Sequence, residues 1–465
     1  MRPEQWQQFK AAAKRQNQGG PIPLSLIVDC PWIPPYSGIS HWDYFFDPEA
    51  WFQANLRIME DFPDVIWFPS WWSEIGMGAE PSALGTRMHV YENRIPDLDH
   101  LPFPMDQLDE LTLPNPRTDG YMPLCLYRFQ KLKQRIFDAG YTIPVVHARG
   151  PLTIASFFRG VTQLMVDIVD EPERTKRLFD MTTDLAIDFM KAQAEVIGDC
   201  VEGILVLDDI VGFIGREHYL EFAHPYLTRI CEAFPRDWVK VFHNDAPVVA
   251  CIDLLPDTGF DVLNWGKQTS VGWAAQRLGG RMCLMGNVSP LELGVQGTPE
   301  QVYAASREVL EQAGDHPLIL SLGGAVTIGM PPANVRAMVQ AAAGDFGLQG
   351  DVAVQFFQPL DLPRLLAVDL QGCRNPADRQ FKPVPIAHLD GNWIFPRRKT
   401  VQIALHALAQ VDLVTFRPRP AGGHFVVTKI DAGVPVVVAE RFPFIVQDKI
   451  AILLRRLHQS VAGLQ

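Results

Sequence analysis

His243-Asn244-Asp245 closes the run Trp238-Val-Lys-Val-Phe242, and its outer residues are of the types that bind metals or move protons. An imidazole and a carboxylate two residues apart in an extended segment project to the same side. Together they can hold a metal ion, or act as an acid and its base partner. The preceding run is β-branched and aromatic, the composition of a buried strand. A helix-like segment, 247–255, follows it. A purely structural role for the triplet is also open, with Asp245 capping that helix and His243 packed beside it. Other polar residues favour chemistry, because they recur at the ends of similar apolar runs: Asp29, Glu74, His147 and Arg149, Asp208 and Asp209, and Asn287. Reactive groups at the C-terminal ends of parallel strands are the arrangement of a β/α-barrel enzyme.

The elements that must position them follow from periodicity. Apolar strand-like runs begin near residues 21, 64, 143, 203, 238, 260, 282 and 317, nearly all followed by helical spacing. Helices are expected over about 122–139, 152–158, 171–197, 216–234, 271–278, 299–313 and 332–343. Asp47-Pro48-Glu49 and the capping box Thr298-Pro299-Glu300-Gln301 mark two helix starts. Eight repeated βα units predict an α/β fold, a (β/α)8 TIM-like barrel over 1–349. The irregular stretch 75–121, with alternation near 87–91, predicts a hairpin or lid. From 350 the pattern changes, and 350–465 read as a small α+β appendage. It has helices at 400–410 and 445–458 and alternating segments at 411–416, 424–429 and 434–439. The apolar face of its last helix must be buried on its own sheet, the barrel or a second subunit, so a homo-oligomer is admitted. The reacting groups are expected to come from the barrel alone.

Composition narrows the function classes. The chain has 465 residues, 47% hydrophobic and 20% charged, with a net charge of −12. With no basic run longer than 396–399, nucleic acid is excluded as a main partner. Seven cysteines, at 30, 125, 200, 231, 251, 283 and 373, form no C-x-x-C pair, which suits a reducing compartment. Residues 1–20 hold no apolar signal core, and no run of about 18 apolar residues exists to span a membrane. A cytoplasmic location is expected.

Roles can then be assigned. Asp208, Asp209 and His243 are the expected catalytic groups, although alternation sends one aspartate toward the barrel mouth and the other toward a helix start. His243, Asp245 and Glu80 are the expected metal ligands. His147 and Arg149 share a side of their strand; Arg149 suits a carboxylate or phosphate, or a structural ion pair. Tyr36 in an aromatic first loop, Trp71, Trp265 and Asn287 complete the expected substrate site, the rings offering a wall for a flat ligand.

Several local patterns occur in a fixed order: Gly150-Pro151-Leu-Thr-Ile-Ala-Ser156, Asp208-Asp209, His224-Pro225-Tyr226 and the strand ending at His243. They continue with Leu278-Gly279-Gly280, Gly286-Asn287-Val-Ser-Pro290, Gly297-Thr298-Pro299-Glu300, and Gly323-Gly324 leading to Pro331-Pro332-Ala-Asn334. In these the sequence resembles the uroporphyrinogen decarboxylase superfamily over about 75–344. Its members include the haem-pathway decarboxylase and methyltransferases that serve corrinoid proteins. The resemblance implies a distorted (β/α)8 barrel. The haem enzyme carries arginines in its first strand–loop segment for a substrate with eight carboxylates, and residues 21–44 here contain no Arg or Lys. The methyltransferase branch carries His-x-Cys at the position of His243-Asn244-Asp245 and a later Cys after the last strand, which bind zinc. Here Asp245 and Gly323-Gly324-Ala325 stand at those places, so a metal site would be harder and richer in oxygen.

The resemblance therefore implies an enzyme moving a methyl group between a small donor, such as an aryl methyl ether, and a corrinoid protein or folate-type acceptor. Its cofactors would be a divalent metal, zinc or another, and tetrahydrofolate or a corrinoid. No Asp-x-His-x-x-Gly motif is present, so a corrinoid would arrive on a separate protein. One alternative is a decarboxylase of a small or aromatic acid, with an aspartate stabilising a developing cation and Arg149 orienting the carboxylate. Another is a barrel that binds a ligand or partner without catalysis.

Overall fold

The computed structural model describes residues 1–16, 20–101 and 103–344 and, beyond them, five short strands between 388 and 439. The chain divides into two units, Met1–Gly350 and Asp351–Gln465. In the first, eight parallel strands surround a core: β1 (Ser25–Ile27), β2 (Ile66–Phe68), β3 (Val145–Arg149), β4 (Gly203–Leu207), β5 (Val239–Asn244), β6 (Val262–Trp265), β7 (Cys283–Val288) and β8 (Leu318–Leu322). β3 to β8 form one parallel ladder in sequence order. β1 pairs with β2, and bridges from Leu24 to Leu320 and from Ile27 to Ala325 tie β1 to the β8 side. This is the expected α/β barrel, with one seam, between β2 and β3, that carries no strand ladder among the described residues.

Side chains close that seam. Gln193, fully buried on helix Pro172–Ile197, accepts the His147 N–H at 3.3 Å and donates to the His147 carbonyl at 2.7 Å. One carboxamide thereby copies the pair of bonds a neighbouring strand would make, and satisfies backbone groups that burial would otherwise orphan. Trp72 Nε1 donates to His147 Nδ1 at 3.0 Å, and Ser70 Oγ donates to Thr142 O at 3.1 Å.

Alternation sorts the strand side chains. Ile27, Phe68, Val145, Leu205, Leu207, Val239, Val241 and Val262 fill the barrel. Their neighbours Leu26, Trp67, Val146, Ile204, Val206, Phe242 and Leu263 pack outward in the larger core under the helices. Extending the parity past the strand ends puts Asp29, His147, Arg149, Asp209, His243 and Asp245 on the inner side and Asp208 on the outer side.

A helix that periodicity did not announce, Pro3–Ala13, closes the opposite end. Its Trp6, Phe9, Ala12 and Ala13 join the barrel interior, and Phe9 stacks on Phe68 at 4.8 Å. Burying a ring of that size contributes about 2–3 kcal/mol. With this floor in place, the C-terminal mouth is the end left for a ligand.

Other elements depart from expectation locally. Residues 247–254 form turns rather than a helix, leading to a 3-10 turn at Leu255–Thr258. The helix expected over 216–234 breaks at Ala223 into Arg216–Phe222 and His224–Glu232, because Pro225 cannot continue a helix but can start one. The alternation near 87 is a hairpin strand, Arg87–His89 paired with Asp97–Asp99. In the second unit, Val414–Pro418, His424–Lys429 and Pro435–Ala439 form an antiparallel sheet. The helices expected at 400–410 and 445–458 lie outside the described residues. Among the described residues, no single helix is long and apolar enough to cross a membrane.

Candidate active site

β5 delivers His243, 4% exposed, to the barrel mouth. Its Nδ1 lies 2.7 Å from Asn264 Oδ1 on the adjacent β6. The other end of Asn264 fixes the amide, since Nδ2 donates to Met285 O at 2.6 Å and to Leu322 O at 2.9 Å. Both amide hydrogens are thus engaged and Oδ1 can only accept, so Nδ1 of His243 carries a proton. In the neutral ring the Nε2 lone pair is then free. Nε2 faces Asp245 Oδ1 at 3.6 Å and Asp209 Oδ1 at 3.9 Å. Asp209 also accepts the Asp245 N–H at 2.6 Å, which ties the loops after β4 and β5 together.

One nitrogen and two carboxylate oxygens are a hard donor set for a divalent ion. Ligand atoms on a common ion with bonds of about 2.1 Å stand roughly 3.0–3.4 Å apart. Nε2 is near that spacing from each carboxylate, at 3.6 and 3.9 Å, but the three atoms do not all lie within 4.8 Å of one another, so an ion would have to draw the two carboxylates together. No thiolate pair is present at these positions. Asp245 takes the first position, and a Cβ at Gly324 would lie 2.7 Å from Asp245 Oδ1. A side chain at 324 would have to push the Asp245 carboxylate aside.

Arg149 anchors the other half of the mouth. Its Nη2 donates to Glu74 Oε2 at 2.5 Å and its backbone N–H to Glu80 Oε1 at 2.8 Å, both glutamates coming from the segment after β2. Its guanidinium lies over the Trp72 ring at 5.5 Å. Asp29, at the end of β1, joins this group. Burial pushes the carboxyl pKa values of Asp29, Glu74 and Glu80 up, while Arg149 pulls each back. Glu80, expected as a metal ligand beside His243, is instead engaged by Arg149. His147 accepts from Trp72 at Nδ1, so its proton sits on Nε2, a buried atom without a partner. Burial and the neighbouring Arg149 push its pKa well down, which keeps the ring a neutral donor.

Asp208, expected at the mouth with His243, lies elsewhere. It is fully buried on the outer side of the wall, where it accepts the N–H groups of Leu152 and Thr153 at 3.0 Å each and the Thr153 hydroxyl at 2.9 Å. It therefore caps helix Pro151–Arg159 from a different strand. Gly150 makes room for it, since a Cβ there would lie 2.3 Å from Asp208 Oδ2. Asp208→Ala is expected to lower stability by about 2 kcal/mol while Asp209→Ala leaves stability nearly unchanged. Urea unfolding of the two variants checks this, and the reverse order would return Asp208 to the mouth.

The aromatic expectations are corrected as well. Ser70 and Trp71 both adopt left-handed φ, 79° and 53°, yet the in–out parity set by Trp67 and Phe68 holds through residue 72. Trp71 packs outward and stacks on Phe52 at 5.2 Å, and Trp72 takes the inner position. Trp265 packs outward too, its Nε1 bonded to Thr269, with Gly286 leaving space for the ring. Tyr36 stacks on Trp32 at 4.4 Å and donates to Asp61 at 2.7 Å, in a half-exposed position on the helix side of the first loop. Asn287 is half-buried and donates to Thr269 O at 2.8 Å, so it braces the loop after β6. Asn264 is the site residue that sequence reasoning missed. The signal for Asn264 was an amide inside an apolar strand, which must find partners.

A barrel with strand-end acids and a histidine at one mouth defines an α/β-barrel enzyme architecture. The chain belongs to the uroporphyrinogen decarboxylase (URO-D) family, whose model matches residues 35–344. It is 27% identical over 278 residues to a uroporphyrinogen decarboxylase of Methylococcus capsulatus, covering 56% of this chain and 75% of that protein. It is 28% identical to one of Anaeromyxobacter dehalogenans, covering 50% and 66%. Against that of Chlorobium phaeovibrioides the figures are 28%, 37% and 49%, so the chain spans about half of that relative's length. A methyltransferase structure from Methanosarcina mazei superposes with a TM-score of 0.62 at 21% identity, covering 72% of this chain and 97% of that one. That likeness concerns the fold.

Proposed function

We propose that this chain is a methyl-transferring member of the family, with His243, Asp209 and Asp245 as its reacting centre. The observation that carries the reading is His243 Nε2, set opposite two carboxylates. A centre of that sign draws a cation. A bound divalent ion would supply Lewis acidity there. The chain's residues do the rest. Asn264 holds the Nδ1 proton, so the ring is oriented with Nε2 toward the mouth. Asp209 fixes the Asp245 backbone and hence the spacing of the two carboxylates. His147, with its Nε2–H free, can donate to an oxygen of the bound donor. No thiolate stands here to be activated, so the acceptor is a nitrogen, as in a folate, or a corrinoid brought by a separate protein.

The relatives' name favours a second reading, decarboxylation. A carboxylate substrate needs cationic side chains, and the Arg149 guanidinium is already bonded to Glu74. The sign of the mouth supports methyl transfer instead. The test is to assay purified protein with aryl methyl ethers and methylated amines against cob(I)alamin and tetrahydrofolate, and separately against uroporphyrinogen. Porphyrinogen turnover without methyl transfer ends the proposal. Asn264→Ala should weaken metal binding about 10- to 100-fold, read by calorimetry, because the ring loses the partner that fixes its tautomer. Unchanged affinity would remove Asn264 from the centre.

A further inference from the structure

The end of β1 and the loop after β2 bring three more donor atoms together. One oxygen of Asp29, one of Glu74 and the sulfur of Cys30 all lie within 4.8 Å of one another. Their adjacency follows from the β1–β2 pairing, which sets Ile27 opposite Phe68 and so brings both strand exits to one place. Asp29 is 8% exposed, Cys30 3% and Glu74 5%. Asp29 Oδ1 and Glu74 Oε1 are sealed from solvent and receive no donor from any other residue, while the two carboxyl groups face one another closely enough to share a proton. The second oxygen of Glu74 is held by Arg149. A buried carboxylate oxygen with no donor is costly, so a positive group belongs between these atoms.

The side chains nearby do not supply it. Asp29, Glu74 and Glu80 share the single guanidinium of Arg149. Arg128, the next buried guanidinium, donates to the carbonyls of Phe45 and Glu74 and to Ser73 Oγ. We propose that Asp29, Cys30 and Glu74 form a second cation site, distinct from the His243 centre, for a borderline-soft divalent ion of the zinc type. Two carboxylate oxygens and a sulfur suit such an ion better than magnesium or calcium, which take oxygen alone. Cys30 enters as the thiolate, because a coordinating thiol gives up its proton to solvent. Arg149, bonded to the far oxygen of Glu74, then orients that ligand from outside the coordination shell. A proton shared by the two carboxyl groups is the competing occupant, and it gives Cys30 no role. The proposal stands whether or not His243 binds a metal.

The two sites can be read separately because only one contains sulfur. Full-length protein, stripped of metal with a chelator, is titrated with Co(II) and followed in the near ultraviolet. A thiolate-to-cobalt charge-transfer band is expected to saturate at a single equivalent. It should vanish in Cys30→Ser, persist in His243→Ala, and need about tenfold more cobalt or greater in Asp29→Asn. Asp29→Asn keeps both the thiol and the shape of the pocket, so it decides the matter if Cys30→Ser does not fold. Absence of the band in the wild type, or a band unchanged in Cys30→Ser or Asp29→Asn, overturns the proposal. Cobalt that binds without a band and is lost in His243→Ala leaves the His243 reading intact and removes this site. A band with no further cobalt bound does the opposite.

Discussion

Arg149→Met lowers the stability of the barrel by about 3–5 kcal/mol, the loss expected when one partner of a buried ion pair is removed. The methionine keeps most of the side-chain volume over Trp72, so the loss is chiefly electrostatic. Three buried carboxyl groups, Asp29, Glu74 and Glu80, are left without their guanidinium. The loss should also depend on pH. Burial already raises the folded-state pKa of Glu74 and Glu80 above 4.5, and Arg149 is the main influence holding them down. Without it both rise further. A carboxyl group with a raised folded pKa favours folding fully below its unfolded pKa and loses that contribution as pH rises through the folded value. The deficit of Arg149→Met should therefore be smaller near about pH 5 than near about pH 8. Urea midpoints at the two pH values measure it, and an equal deficit at both would show that lost packing dominates.

His243→Ala should abolish most methyl transfer, on the order of 10³-fold, the several kcal/mol that a metal-centred electrophile supplies. The binding of an oxygen-preferring ion such as Mn(II) should fall with it. The fold should tolerate the change better than it tolerates Arg149→Met, because Asn264 keeps its two carbonyl partners and loses only one acceptor contact. Single-turnover rates and manganese stoichiometry test this. Full transfer activity in His243→Ala would move the chemistry to the Arg149 side of the mouth.

The barrel was legible because every strand of the wall is buried on both faces. Such strands read as apolar runs, and the run 203–207 coincides with β4 while the others fall within a few residues of β1 to β8. Helices with explicit starts were equally plain: Thr298 caps Pro299–Ala313 through the expected box with Gln301. The helix Pro3–Ala13 was not, because its few apolar residues are diluted by Gln, Lys and Glu. Side-chain direction was only partly legible. Parity counted from Leu205 and Leu207 separates Asp209 from Asp208, and the same count separates Asn264 from Trp265. The same count from Phe68 puts Trp71 outward and Trp72 inward, as observed, so parity alone would have removed Trp71 from the pocket wall. Asp29 was visible as a strand-end acid, whereas Cys30 looked like one of several scattered thiols. Its neighbour Glu74 is brought to it only by the pairing of β1 with β2.

Between most neighbouring strands the wall is joined by amide and carbonyl groups, which every residue carries. Those joints are indifferent to mutation. Between β2 and β3 the carboxamide of Gln193 satisfies the open edge of β3 and the indole of Trp72 reaches across to His147. That part of the circumference is therefore heritable in a way the rest is not, and a single codon at 193 can unlace it. The β3 amides facing the joint should be the first of the wall to exchange with deuterated solvent. In Gln193→Leu, opening should spread along β3 to its tip, where Arg149 hangs.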